Sequence, residues 1–430
     1  MSKKERKVFL LGAGAAIPWN GPTTKCLTAL VCQTGFKNST GQYITQAVFD
    51  HLEQKCEIPQ AEINFETILN VIEDFIDFWS HTERRNINGL SFFISKSDVL
   101  WDNYLNYSLK CDPASKTYSI EIPGASEYIN ASLQWISKDI PPQKKFLQVL
   151  FSDILDIIAN RVFDYSNNAT LGGSGTDEMT KLAVHHFKNL RDSLLRIYTL
   201  NYDRIIQSIL DQAGIHFFEG TTDEGGYIAE KLNLGIRHFS PPNFLRHVNY
   251  NCVYHLHGSA FWEVIPEDSN RLPYYSFVLK HHFSFPSAQG HGTAEVEMEK
   301  GRKTQISNIV SGYRKTIRIG LSPFRQMFSA FDRDCLVGDE MIIIGYSFGD
   351  EHINDIINKA RHSNPSLKIE IIDPAIDIKG FFIDIVSKWV WFDKLVEPDK
   401  PSEDVYIFKD YNLTLYKMFF QDYLAYKVET

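Results

Sequence analysis

Short runs of consecutive apolar residues punctuate the chain, and between them apolar positions recur at helical spacing. VFLL (8–11), RIYTL (196–200), CVYHLHG (252–258), MIIIGYS (341–347) and LKIEIID (367–373) are largely apolar. Such runs suit strands covered on both faces of a parallel sheet. DRIIQSILDQAG (203–214) and DEHINDIINKARHSN (350–364) instead place apolar residues every three or four positions. The second has acids at its start and Lys359, Arg361 and His362 near its end, matching the helix dipole. In SPFRQMFSAFDRDCLVG (322–338), Ser322 reads as the N-cap and Pro323 as the first helical residue. Strands alternating with such helices predict a doubly wound α/β domain on a parallel sheet.

The pattern changes between about 42 and 190. FETILNVIEDFIDFWSH (65–81) and FLQVLFSDILDIIANRVFDY (146–165) read as long apolar or amphipathic helices, and LGGSGTDEMT (171–180) as a flexible connector. This predicts a core from 1–41 plus 191–390, with a mostly helical insertion over 42–190 between its first two strands. Residues 391–430 form an aromatic-rich extension. Around it Trp389, Trp391, Phe392, Tyr411, Tyr416, Phe419, Phe420 and Tyr423 call for packing, on their own domain before another subunit.

Composition narrows the function. The 430 residues are 43% hydrophobic and 13% aromatic, enough for sizeable cores, and the formal charge is -9 without a long basic run. Direct, sequence-independent nucleic-acid binding is therefore not expected. Cys26, Cys32, Cys56, Cys111, Cys252 and Cys335 contain no C-x-x-C pair, which argues against a zinc ribbon or a disulfide scaffold. After MSKKERK, the run VFLLGAGAAI is too short and glycine-broken to span a membrane. The expectation is a cytoplasmic protein with no membrane role.

Four stretches at strand ends carry candidate chemistry. Gly12-Ala13-Gly14 follows the first strand and would let the backbone approach a pyrophosphate through bare N–H groups. A dehydrogenase fingerprint needs a third glycine where Ile17 stands, and an acid about 20 residues after the turn, where LTALVCQTG has none. In YTLNYDR (198–204), Asn201 and Asp203 sit where a strand meets a helix; either could be catalytic, and Asp203 could equally cap that helix. In VYHLHGS (253–259), His255 and His257 alternate along a strand, which puts them on one face. No acid or cysteine nearby completes a metal set, so no metal is expected. A single catalytic His257 and a hydrogen-bonded core histidine both remain open. In IIIGYSFGDEHIND (342–355), Asp350 and Glu351 open a helix and favour ribose hydroxyls or simple capping over phosphate. Asp373, ending the next strand, can accept ribose hydroxyls at the carboxyl edge where all four stretches converge.

Together these stretches resemble the sirtuin-type NAD-binding domain, in the divergent branch found in bacterial antiphage defence. Gly12-Ala13-Gly14 matches its glycine turn, T-x-N-Y-D (199–203) its Thr-x-Asn-x-Asp motif, and His257-Gly258 its His-Gly. G-x-S-F-G-D (345–350) matches its later serine loop. The resemblance covers about 1–35 and 195–390 and implies a Rossmann-like sheet. It also implies an NAD+ hydrolase that releases nicotinamide and ADP-ribose and so depletes NAD during infection. Asn201, His257 and Asp203 would then be catalytic. Gly12, Ala13, Gly14, Ala15, Thr199, Gly345, Ser347, Asp350 and Asp373 would bind NAD, the substrate. The zinc module of protein-deacylating sirtuins is missing, and WNGPTTKC (19–26) replaces their arginine-bearing loop, as the start of a loop over the nicotinamide side. Both departures weaken the alternative of a protein deacylase; a non-catalytic NAD- or ADP-ribose-binding subunit is the other alternative. The resemblance further implies a homo-oligomer and a HerA-type ring ATPase as partner.

Overall fold

A computed structural model describes residues 4–80, 105–112, 114–170, 177–221, 236–266, 275–280, 295–299, 302–310, 315–376 and 398–429. Of the connector expected over 171–180, residues 171–176 lie outside the described residues, as do Trp389, Trp391 and Phe392, while 177–180 already belong to the helix Asp177–Asn189. The central sheet contains β1 (Arg6–Leu11), β2 (Leu194–Thr199), β3 (Cys252–His255), β4 (Glu340–Ile344), β5 (Lys368–Ile372), β6 (Asp399–Ser402), β7 (Val405–Phe408) and β8 (Leu413–Tyr416). Their order is 3-2-1-4-5-8-7-6. The pairings from β3 through β8 are parallel, and β7 and β6 close the far edge antiparallel.

Both faces of this sheet are covered, which is why its strands are apolar throughout rather than alternating. Val8 and Leu10 face one core with Tyr198, Tyr254, Met341, Ile343 and Ile369. Over it pack the helices Phe324–Val337 and Glu351–Ser363, through Phe324, Met327, Phe331, Ile353 and Ile357. Phe9 and Leu11 face the other core with Ile197, Val253, Ile342 and Ile344. The segment between β1 and β2 covers that face. The chain is thus a doubly wound, Rossmann-like α/β fold.

The helices of that segment include α1 (Thr24–Cys32), α2 (Ile44–Gln54), α3 (Phe65–Ser80), α4 (Pro142–Thr170) and α5 (Asp177–Asn189). It also holds a small antiparallel sheet of Ser108–Cys111, Thr117–Glu121 and Ile136–Ser137, which the helical periodicity did not signal. Its core is continuous with the main sheet, as Phe9 against Phe187 shows, with ring centroids 5.5 Å apart. At the C-terminus, β8 takes the sixth parallel position. The helix Phe420–Glu429 packs back, with Phe420 6.3 Å from Trp19 and Tyr423 6.0 Å from His186. Among the described residues no helix is long and apolar enough to cross a membrane.

Two local expectations need correction. The helix expected from Ser322 starts at Phe324, and Pro323 holds the cap position without a side-chain cap. The Arg325 N–H is satisfied by the Leu321 carbonyl instead, at 2.9 Å, so a serine hydroxyl is not needed there. The strand expected to run through His257 stops at His255. The chain turns at Gly258, whose φ is +81°, and the two histidines do not share a strand face.

Candidate active site

In this strand order the reversal lies between β1 and β4, where open α/β sheets bind ligands beyond the carboxyl ends of their strands. The loops leaving these two strands are locked together. Gly12 donates its N–H to the Ile344 carbonyl and Gly14 to the Gly345 carbonyl, both at 2.9 Å; Ala15 donates to Gly12 at 3.0 Å. A Cβ on Gly12 would lie 2.4 Å from the Gly345 oxygen, and one on Gly345 would lie 2.4 Å from Gly14 backbone atoms. These glycines therefore serve turn-on-turn packing. The bare N–H groups expected at Gly12, Gly14 and Ala15 are engaged by backbone. After the turn the chain forms a 3-10 helix, Ala13–Trp19, before α1.

Above this seam lies a cavity of about 540 Å³, within the size range of small-molecule sites. Gly12, Ala13, Gly14, Asn201, His257, Gly345, Ser347, Asp350 and Asp373 all line it. Ala15 is turned into the core. Thr199 and Asp203 are buried beside the cavity rather than among its lining residues.

Asn201 is held at three points. Its N–H donates to Thr199 Oγ1 at 3.0 Å, and its side-chain Nδ2 donates to the Gly12 carbonyl at 2.9 Å. Its carbonyl accepts from His255 Nδ1 at 2.9 Å. That bond fixes the proton of His255 on Nδ1, leaving Nε2 to accept from Gln207 Nε2 at 2.7 Å. His255 is therefore a buried structural histidine, and burial pushes it down to about 4. With Nδ2 committed to Gly12, Asn201 Oδ1 accepts nothing among the described residues. Asp203 stands one residue before Arg204, the N-cap of the helix Ile205–Gln212: its Oδ1 accepts from the Ile205 N–H at 3.0 Å, while its Oδ2 accepts from the Tyr165 hydroxyl at 2.8 Å.

The loop carrying His257 is stitched to the loop carrying Asn201. Ala260 N–H and Ser259 Oγ both donate to the Tyr202 carbonyl, at 3.0 and 2.9 Å. A Cβ on Gly258 would meet the Asn308 carbonyl oxygen at 2.0 Å, so only glycine fits behind His257. The imidazole is almost fully buried, and its Nε2 has no hydrogen bond among the described residues. Burial, then the Lys315 charge, push it down to about 3, while Asp350 opposes the shift. Rather than titrating near neutrality, His257 is held neutral there and can only accept a proton.

Asp350 faces His257 with Oδ2 3.9 Å from Nε2. Burial works against its charge, but His257 and the Lys315 ammonium hold the carboxyl down at about 2. Lys315 pairs with Asp350 Oδ1 at 2.9 Å and with Glu66 Oε2 at 2.8 Å. Glu66 is itself pushed up by burial. Among the described residues, His257, Asp350 and His352 bring ligand atoms within 4.8 Å of one another. Lys315 already supplies a cation to that carboxylate. Asp373 accepts from the Ala375 N–H at 2.8 Å and is raised by burial.

Sequence reasoning missed Glu66, Lys315 and Tyr165, which line the cavity from outside the four stretches. Glu66 stands in a first helical turn, where an acid is common on any helix and marks no site; the other two carried no signal. WNGPTTKC divides in two. Trp19 is core, donating to Thr180 Oγ1 at 3.0 Å, and Pro22, Thr23, Thr24 and Lys25 face the cavity.

Residues 195–375 match the family model described as the SIR2-like domain. That span contains Asn201, His257, Lys315, Asp350 and Asp373, but not the glycine turn or Glu66. The match supports a sirtuin-like, NAD-using domain. No curated protein matches the chain.

Proposed function

We propose that this protein hydrolyses NAD+ to nicotinamide and ADP-ribose. One observation carries the reading: a cavity at the strand-order reversal is lined by both Asn201, whose Oδ1 accepts nothing among the described residues, and a neutral His257, whose buried Nε2 has no hydrogen bond among them. Breaking the bond between the nicotinamide nitrogen and ribose C1′ sends its electron pair onto nicotinamide and leaves oxocarbenium-like character at C1′, as in other glycosidic cleavages. Asn201 Oδ1 accepts a hydrogen bond from the attacking water or a ribose hydroxyl. As the water oxygen bonds to C1′, its proton passes to His257, and Asp350 stabilises the imidazolium that forms. Asp203 acts at one remove, fixing the start of its helix and the Tyr165 hydroxyl.

The cavity suits the rest of NAD. Lys25 and the start of α1 offer positive charge to the pyrophosphate, beside the closely packed glycine seam. Ser347 and Asp373 offer polar groups to the adenosine end. The absence of both C-x-x-C pairs favours water over an acyl-lysine as acceptor. The antiphage setting, the homo-oligomer and the HerA-type ATPase partner extend this proposal through the resemblance of the motifs alone.

Incubating the purified protein with NAD+ and following nicotinamide and ADP-ribose, beside Asn201→Ala and His257→Ala, tests it. Release lost in both folded variants is expected. Release that requires an acyl-lysine peptide would point to a deacylase. ADP-ribose binding without turnover would leave a binding subunit.

A further inference from the structure

We propose that Lys315 and Glu66 are positioning residues that hold Asp350 opposite His257, so that the segment between β1 and β2 helps to set the proton-accepting group. The proposal rests on the hydrolase reading of the same cavity and concerns residues outside the four strand-end motifs.

The first support is what Asp350 does not do. It occupies the N-cap of the helix Glu351–Ser363, yet its side chain accepts no capping bond. The Ile353 N–H, which a capping side chain would take, donates to the Asp350 backbone carbonyl at 3.1 Å. The carboxylate is turned sideways, with one oxygen on Lys315 Nζ at 2.9 Å and the other 3.9 Å from His257 Nε2. An aspartate that merely capped its helix would not adopt this orientation.

The second support is how Lys315 is anchored. Its ammonium, mostly buried, also contacts Glu66 at 2.8 Å. Glu66 lies in the first turn of α3, and that turn is pinned by Asn64 Oδ1, which accepts from the N–H groups of Glu66 and Thr67 at 2.9 and 3.1 Å. The lysine thus ties the helical segment to the carboxyl edge of the core. Without it, two half-buried carboxylates would repel each other, and Asp350 would lose its alignment on His257 while staying charged beside it.

The charges around His257 give the arrangement a direction. Asp350 attracts a proton to the imidazole; Lys315 and His352 oppose it. Behind them, Tyr202 and Tyr346 are neutral phenols, and Arg318 is paired with Glu73. Removing the ammonium while Asp350 remains must raise the proton affinity of His257.

The test compares Lys315→Met, Lys315→Arg and Glu66→Gln with the wild type in the full chain. kcat and KM for nicotinamide release are measured across pH, and each fold is checked by melting. In Lys315→Met, kcat should fall by about 100-fold, the scale of a misplaced catalytic group, with KM nearly unchanged. Its acidic limb should move to higher pH, and arginine should restore most of the rate. Glu66→Gln keeps the Lys315–Asp350 pair and should give a smaller loss. Unchanged kcat and pH profile in Lys315→Met, or an arginine variant as impaired as methionine, would overturn the proposal. If Lys315→Met does not fold, an unaltered kcat in Glu66→Gln overturns it. A wild type that releases no nicotinamide sinks the hydrolase reading instead. The positioning claim is then decided by NMR titration of the His257 ring, which must protonate at higher pH in Lys315→Met.

Discussion

Replacing Gly345 by alanine tests the seam beneath the cavity. Gly345 has φ of +58°, and an added Cβ would sit 2.4–2.5 Å from the backbone of Gly14 and Ala15. The left-handed conformation costs an alanine about 1–3 kcal/mol. Forcing a methyl into packed backbone adds about 1–3 kcal/mol, because neither turn can yield without breaking the Gly14–Gly345 hydrogen bond. The expected destabilisation is therefore about 2–6 kcal/mol. Scaling the unfolding entropy to 430 residues gives about 0.9 kcal/mol per degree, so the melting midpoint should drop by about 2–7 °C. Gly349, in the same loop, is the control. A Cβ there meets only Ser347 Oγ at 3.7 Å, an ordinary contact, so Gly349→Ala should melt with the wild type. Differential scanning calorimetry with and without ADP-ribose measures both effects, and Gly345→Ala should also lose the ligand-induced stabilisation. The locked-turn reasoning is refuted if both variants melt together.

Three further outcomes follow from the same geometry. Asn201→Ala and His257→Ala should each lower kcat for nicotinamide release by about 10²–10⁴-fold, the usual range for losing a positioned acid–base partner; a loss confined to KM would show that they only bind. Asp334→Ala should destabilise by about 3–5 kcal/mol in chemical denaturation, because it strands Arg196, which is fully buried and 2.5 Å from that carboxylate. A near-neutral result would mean that solvent reaches Arg196. Stability should also fall on acidification. Burial lowers His257 to about 3 and His255 and His186 to about 4, so the unfolded chain takes up protons first. Their contribution is complete above an unfolded value of 6.5 and is lost as pH falls toward those folded values. Asp350, held at about 2, adds a further loss below the ordinary carboxylate range. A melting temperature that stays flat from neutrality down to pH 4 would contradict this.

Five strands of the central sheet were legible because they depend on local signals, all-apolar runs ending in glycine or a polar residue, whereas the strand order and its reversal depend on long-range pairing that no such run encodes. Asn201, His257 and Asp373 could be picked out for the same reason, since each follows a buried strand directly. The misreadings come where a local rule gave way to a tertiary bond. His255 and His257 looked like a pair by alternation, but Gly258 turns the chain and Asn201 and Gln207 claim His255. Ser322 looked like a cap, but Leu321 had already supplied the acceptor. The glycines looked like phosphate donors, and their N–H groups proved to be committed to the neighbouring turn. Glu66 and Lys315 form one ion pair from distant parts of the chain, and no periodicity in either segment encodes the other. Likewise, the sixth parallel strand hides in LTLY (413–416), four residues whose only strong signal is the partner they meet.

The seam between the turns after β1 and β4 has a consequence for biosynthesis. Its two sides come from opposite ends of the chain, and the Glu66–Lys315 tie is nearly as long-range. On a ribosome, the first strand and the whole helical segment emerge long before Gly345 can close the floor beneath them. A nascent or prematurely terminated chain thus has the early walls of the cavity but neither its floor nor its complete charge cluster. Under the proposed NAD hydrolysis, late closure would keep unfinished copies inactive until most of the chain is made.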